Sequence, residues 1–98
     1  MPAYPLASPH RVLVVVAESY GVTLDALTSR GQQASLVAAR RAAAWLLQDL
    51  TMLSQVEIGR ALKRDPSTVI YTLARARQEA GLPAYAKHLE SLRDKILA

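Results

Sequence analysis

Between Ser54 and Arg77 the chain reads SQVEIGRALKRDPSTVIYTLARAR, and its polar residues suit the holding of a polyanion and the reading of an edge pattern on it. Arg64, Asp65, Ser67 and Thr68 stand together. The hydroxyls of Ser67 and Thr68 donate and accept, and the Thr methyl offers an apolar contact. These are the groups that tell base edges apart in the major groove of duplex DNA. Arg60, Lys63, Tyr71 and Arg75, with Arg40 and Arg41 upstream, supply the charges and hydroxyl expected at backbone phosphates. By residue type the expected base contacts are Ser67 and Thr68, and Arg64 joins Arg60 and Lys63 in a clamp for backbone phosphates.

Such groups act only if the chain around them sets their directions. Ser54 and Glu57 form a capping box, in which each side chain satisfies the other residue's amide. The helix they start should continue through Ile58 and Leu62, with Gly59 and Ala61 small enough for close helix approach. Lys63-Arg64 is the turn. Asp65-Pro66 repeats the start signal as cap plus proline, and a second helix follows to about Ala80, closed by Gly81 and Pro83. Val69, Ile70, Leu73 and Ala76 form its inner stripe, with Tyr71, Thr72 and Arg75 on the other side. A short helix, a tight turn and a second helix with hydroxyls in its first turn is the layout of a helix-turn-helix.

The remaining chain supplies the support. Ser8-Pro9 starts a helix to about Tyr20 with Val12, Val15, Val16 and Ser19 on one face, and Gly21 ends it. Thr23 caps a short helix to about Ser29, with Leu24 and Leu27 inward. Arg30 to Gln33 is a polar linker. Ser35 caps the longest apolar-periodic segment, which ends near Leu50 and carries Leu36, Ala39, Ala43, Leu46, Leu47 and Leu50 in one stripe. Arg40 and Arg41 sit off that stripe near the helix start, where cations oppose the macrodipole, so a role outside the fold is expected for them. A last helix from about Pro83 to Leu97 presents Leu89, Leu92, Ile96 and Leu97. Residues 1–7, with Pro2 and Pro5, are expected to be a mobile arm, and residues 8–98 one domain. Ala and Leu dominate the apolar half of the composition, and no useful strand alternation competes. The fold class is all-α, a compact bundle of five to six helices containing a helix-turn-helix.

Composition narrows the function. The window from Arg30 to Arg77 holds eight basic residues against three acidic ones, a net +5 in a chain of +4 overall. Concentrated positive charge on the helix-turn-helix half fits a polyanionic partner. There is no Cys, which excludes disulfides and Cys-based zinc sites, and the two His residues have no ligand spacing. The longest apolar run, Val12 to Ala17, is too short to span a bilayer. No GxxxxGK[ST] loop, Ser/His/Asp set or carboxylate pair stands out, and His10 and His88 read as surface residues. The expectations are no enzyme activity, no cofactor, no metal, no membrane and no small-molecule substrate.

From about Val12 to Ala80, and more weakly to Leu97, the chain resembles the C-terminal DNA-binding domain of the bacterial replication initiator DnaA. The resemblance rests on VAESYGVTLDALTSR, on the long helix AARRAAAWLLQDLT and on LSQVEIGRALKRDPSTVIYTLARAR. That family typically shows L-S-x-x-E-I-G-x-x-F-G-G-R-D-H-S/T-T-V, matched here by Ser54, Glu57, Ile58, Gly59, Arg64, Asp65, Ser67, Thr68 and Val69. It implies a Trp-repressor-like helical domain on double-stranded DNA, with Arg64 to Thr68 in the major groove, Arg64, Asp65, Ser67 and Thr68 as base contacts, and the helix beginning near Ala38 on phosphate. Three positions depart from the pattern. Pro66 stands where the family has a base-contacting His, Lys63 alone replaces Gly-Gly, and GQQASLVA replaces a basic loop, leaving only Arg30 close by.

The resulting expectation is a sequence-selective or non-specific duplex-DNA-binding protein without ATPase activity of its own, cytoplasmic and nucleoid-associated. A homodimer or a larger replication or transcription complex is the open expectation for assembly. The alternatives are a helical protein–protein interaction module and a sigma-factor-like promoter-recognition domain, since EIGRALKRDPSTVIYTLARAR also resembles the latter's helix-turn-helix.

Overall fold

The computed structural model describes residues 6–98. Among them the chain forms six helices and no strand: α1 (Pro9–Tyr20), α2 (Leu24–Leu27), α3 (Ala34–Leu50), α4 (Gln55–Leu62), α5 (Pro66–Ala80) and α6 (Pro83–Leu97). The first five positions of the expected arm lie outside the described residues. Its last two are docked, because the amides of Leu6 and Ala7 both donate to the Leu50 carbonyl (2.9 and 3.2 Å). That carbonyl, at the end of α3, has no partner within its own helix.

Local chemistry sets most boundaries. Ser8 accepts from the Arg11 amide at 3.1 Å, Pro9 takes the first helical position, and Gly21 leaves α1 in the left-handed conformation (φ 67°). Thr23 caps α2 by accepting from the Ala26 amide, but α2 closes at Leu27, shorter than its pattern suggests. α3 starts at Ala34 after Gln33, without a side-chain cap, so Ser35 lies inside the helix and is not its cap.

α3 is central and packs against each of the other five helices. Its alanine run, Ala42 to Ala44, is fully buried and lets neighbours approach closely. Val12 and Val16 of α1, Leu27 of α2, Ile58 and Leu62 of α4, Val69 and Leu73 of α5, and Leu89, Leu92 and Ile96 of α6 complete one continuous core. Each buried Leu, Ile or Val contributes about 1.5–3 kcal/mol. Three stripe positions depart from expectation: Ser19, Ile70 and Leu97 are exposed, each at the margin of its helix's apolar face. His88 is half-buried and not a surface residue, because it shares a hydrogen bond with Tyr20 Oη (2.9 Å) that ties α6 to α1.

Candidate nucleic-acid interface

The interface is built on two helix starts of different character. At α4 the capping box is complete: Ser54 Oγ accepts from the Glu57 amide (3.2 Å) and Glu57 Oε1 accepts from the Ser54 amide (2.9 Å). These hydrogen bonds hold the Glu57 carboxyl below the usual carboxylate range. At α5, Asp65 occupies the cap position in extended conformation, but its carboxylate makes no cap hydrogen bond. Pro66 has no N–H, so the Ser67 and Thr68 amides and the Asp65 carboxylate remain open at that end.

The turn between them is tight. Lys63 adopts the left-handed conformation (φ 55°), and its amide returns to the Arg60 carbonyl while the Arg64 amide returns to Gly59 (2.7 Å). A Cβ at Gly59 would stand 2.5 Å from the Arg64 carbonyl oxygen. The tightest approach that Gly59 permits is therefore to the turn's own backbone, with Val69 of α5 next at 3.4 Å.

In front of the turn lies an open cleft of about 700 Å³ lined by Arg30, Gln32, Val56, Gly59, Arg60, Lys63, Arg64, Asp65, Pro66 and Thr68. Four cations and one carboxylate make it electropositive. Arg60, Lys63, Asp65, Ser67, Thr68, Tyr71 and Arg75 are all exposed. Arg75 has only a long contact to Glu79 (3.9 Å). Arg64 is half-buried: it donates to the Lys63 carbonyl (2.9 Å) and, through Nη2, to the carbonyl of Ser29. Two of its five donors are thus engaged. That bond brings the 29–32 loop to the turn and carries Arg30 and Gln32 into the cleft. Arg30 and Gln32 enter the site through long-range contacts that the sequence does not display, whereas Val56 comes with α4 itself.

Arg40 and Arg41, both expected at phosphates, are engaged by partners within the fold. Arg40 is only 6% exposed. Its guanidinium donates to the carbonyls of Leu27 (2.8 Å), Gly31 (2.6 Å), Ala26 (3.2 Å) and Ser29 (2.7 Å). Burial, and then the neighbouring Arg64 charge, push its pKa down. It anchors the end of α2 and the following loop, and it cannot reach a phosphate from there. Arg41 donates to Glu79 at 2.7 Å and joins α3 to α5, so its charge is neutralised within the fold.

A sequence profile described as the bacterial dnaA protein helix-turn-helix matches residues 9–76. Among curated relatives, the chromosomal replication initiator protein DnaA of Deinococcus radiodurans is 35% identical over 86 residues, covering 87% of this chain and 18% of the relative. That of Corynebacterium jeikeium is 38% identical over 71 residues, 71% of this chain and 12% of the relative. That of Chloroflexus aggregans is 30% identical over 91 residues, 91% of this chain and 19% of the relative. The chain thus spans less than a fifth of the length of these relatives.

Proposed function

Because the chain belongs to the bacterial DnaA helix-turn-helix family, we propose that it binds duplex DNA with sequence preference through the cleft and the exposed face of α5. The matched module is a non-catalytic helical domain. The observation that carries the reading is the pairing of four cations around the cleft with an α5 start whose polar groups have no internal partners. A helix N-terminus of that kind attracts phosphate, and flanking cations add affinity without sequence preference.

In this reading Arg60, Lys63, Tyr71 and Arg75, joined by Arg30, contact backbone phosphates. Asp65, Ser67, Thr68 and the anchored Arg64 face base edges. Arg40 and Arg41 support the site from behind. One helix-turn-helix makes few base contacts, so a second copy or a larger replication or transcription assembly would add the rest, on the nucleoid in the cytoplasm.

Selection of bound sequences from random duplex DNA, followed by salt titration of the winners, tests the reading. Affinity should fall linearly on logarithmic axes, with each phosphate contact adding about −0.9 to the slope. Absence of binding to any duplex at low salt overturns it.

A further inference from the structure

Behind the α4–α5 turn lies a second, smaller cavity of about 210 Å³, partly enclosed between α3 and the α4–α5 unit. Val37 and Ala44 of α3, Leu62 of α4 and Val69 of α5 give it apolar walls. Arg40 and Arg64 add two guanidiniums, both donating to the Ser29 carbonyl, and among the described residues no carboxylate lines the space. The carbonyls around these two groups stand in for a counter-ion by dipole alone and bring no net negative charge. Four of the five donors of Arg40, itself only 6% exposed, and two of the five of Arg64 are engaged. Two neighbouring cations, with donors to spare, therefore share one cavity with an apolar surface.

Charge and walls together define what fits. A phosphate, free or in a DNA backbone, would meet the guanidiniums and leave the apolar walls without contacts. An uncharged apolar molecule would fill the walls and leave the cations unpaired, which is costly where water is excluded. The volume equals about seven waters at about 30 Å³ each, the bulk of one compact organic molecule. We propose that this cavity binds a small free carboxylate with a compact apolar body, and that this ligand competes with DNA for Arg64. A carboxylate matches the planar fork of a guanidinium and can take two of its hydrogen bonds at once. Gln32, Arg64 and Thr68 line both this cavity and the cleft in front of the turn, so the two occupants draw on the same groups. The coupling is reciprocal: duplex must weaken the carboxylate by the factor by which the carboxylate weakens duplex.

The coupling rests on the DNA-binding reading above, whereas the ligand site does not, and the test separates the two. Benzoate is the probe, benzamide its uncharged match, and inorganic phosphate the anion without an apolar body. Each is titrated into the full chain at constant ionic strength. Benzoate should shift the NMR signals of the Ala44 and Leu62 methyl groups, which are 0% and 2% exposed and out of reach of an ion on the surface. Benzamide should bind about tenfold more weakly or worse, having lost a charged hydrogen bond. Phosphate, which buries no apolar surface, should fall by a comparable factor. Arg64→Gln should cost benzoate about tenfold as well. Val37→Phe, at the 36%-exposed rim, should close the cavity and abolish benzoate binding while melting as the parent does. Saturating benzoate should weaken duplex binding relative to saturating benzamide, and Arg64→Gln should remove that difference. Equal affinities for benzoate and benzamide overturn the inference, as do benzoate shifts confined to Arg60 and Lys63. Benzoate seated in the cavity with duplex affinity unchanged overturns the competition. A chain that binds no duplex overturns the DNA-binding reading and the competition with it, while the methyl shifts still decide the ligand site.

Discussion

The arginines of α3 and the cations of the α4–α5 unit are alike in sequence, and the fold uses them in opposite ways. Arg40 turns inward onto four carbonyls, and Arg41 is paired with Glu79. Arg60 and Lys63 stand in water around a cleft whose lining holds a single carboxylate. The difference lies in what the chain places within reach. α2 ends beside α3 and points its last carbonyls at position 40, where they take the place of a counter-ion. Among the described residues no such acceptor set is bonded to Arg60 or Lys63, which in the proposed reading leaves their charge for an external anion. Charge in the sequence marks a polyanion-binding half; only acceptor geometry separates the charges that bind from those that build.

The sharpest way to break this comparison is Arg40→Ala. It removes charge-assisted hydrogen bonds and leaves buried carbonyls without partners, so stability should fall by roughly 3 kcal/mol. For a domain of this size that is a drop in melting temperature of roughly 15 °C. Arg40→Lys should recover little, because an ammonium cannot span the same fan of acceptors. A variant that melts normally while binding DNA more weakly with a shallower salt slope would restore the phosphate role that the structure removes.

Next in size is Gly59→Ala. The added methyl meets backbone at the Arg64 carbonyl, which cannot move without reshaping the turn. The overpacking cost of about 1–3 kcal/mol should exceed the helix-propensity gain of about 1 kcal/mol. DNA affinity should fall with stability here, since the same turn carries Lys63 and Arg64. Unchanged affinity would show that the turn's shape does not matter to the site.

Much of the fold was legible because caps and stops are local. Ser8-Pro9, Gly21 and the Ser54–Glu57 box announce their helix ends with residues at most three positions apart. The rest depends on partners distant in sequence. Arg40 meets carbonyls nine to fourteen residues back, and Arg64 meets Ser29, 35 positions away. Neither periodicity nor charge counting senses such contacts, and the placement of Arg30 and Gln32 follows from them. Ile70 was misread for a related reason: its hydrophobicity fits the inner stripe, but no neighbouring helix extends over that flank of α5.

The two helix starts offer a smaller test of the same contrast. Ser54→Ala should cost about 1 kcal/mol, the usual loss for a satisfied cap. Asp65→Ala should change stability by less than about 0.5 kcal/mol, as for an exposed residue without a structural contact, while altering DNA binding. Acid should act on one start only. The Glu57 carboxyl is held below its unfolded value, so its contribution is present above the unfolded pKa and is lost as pH falls through the folded one. Melting of the parent against Glu57→Ala should converge at low pH and diverge above the ordinary carboxylate range. Equal stability losses for Ser54→Ala and Asp65→Ala would erase the distinction between the starts.

The finest division is at Lys63, where fold and site compete for one residue. Its left-handed backbone costs a side-chain-bearing residue about 1 kcal/mol, a strain that glycine lacks. Lys63→Gly relieves that strain but frees the unfolded chain by about 0.4–1 kcal/mol, so net stability should stay level or rise by a few tenths. DNA binding should move the other way, losing about 0.9 from the salt slope if the ammonium meets a phosphate. Paired melting and salt titrations of this variant check both halves. Binding with an unchanged slope would return Lys63 to the status of a solvated turn residue.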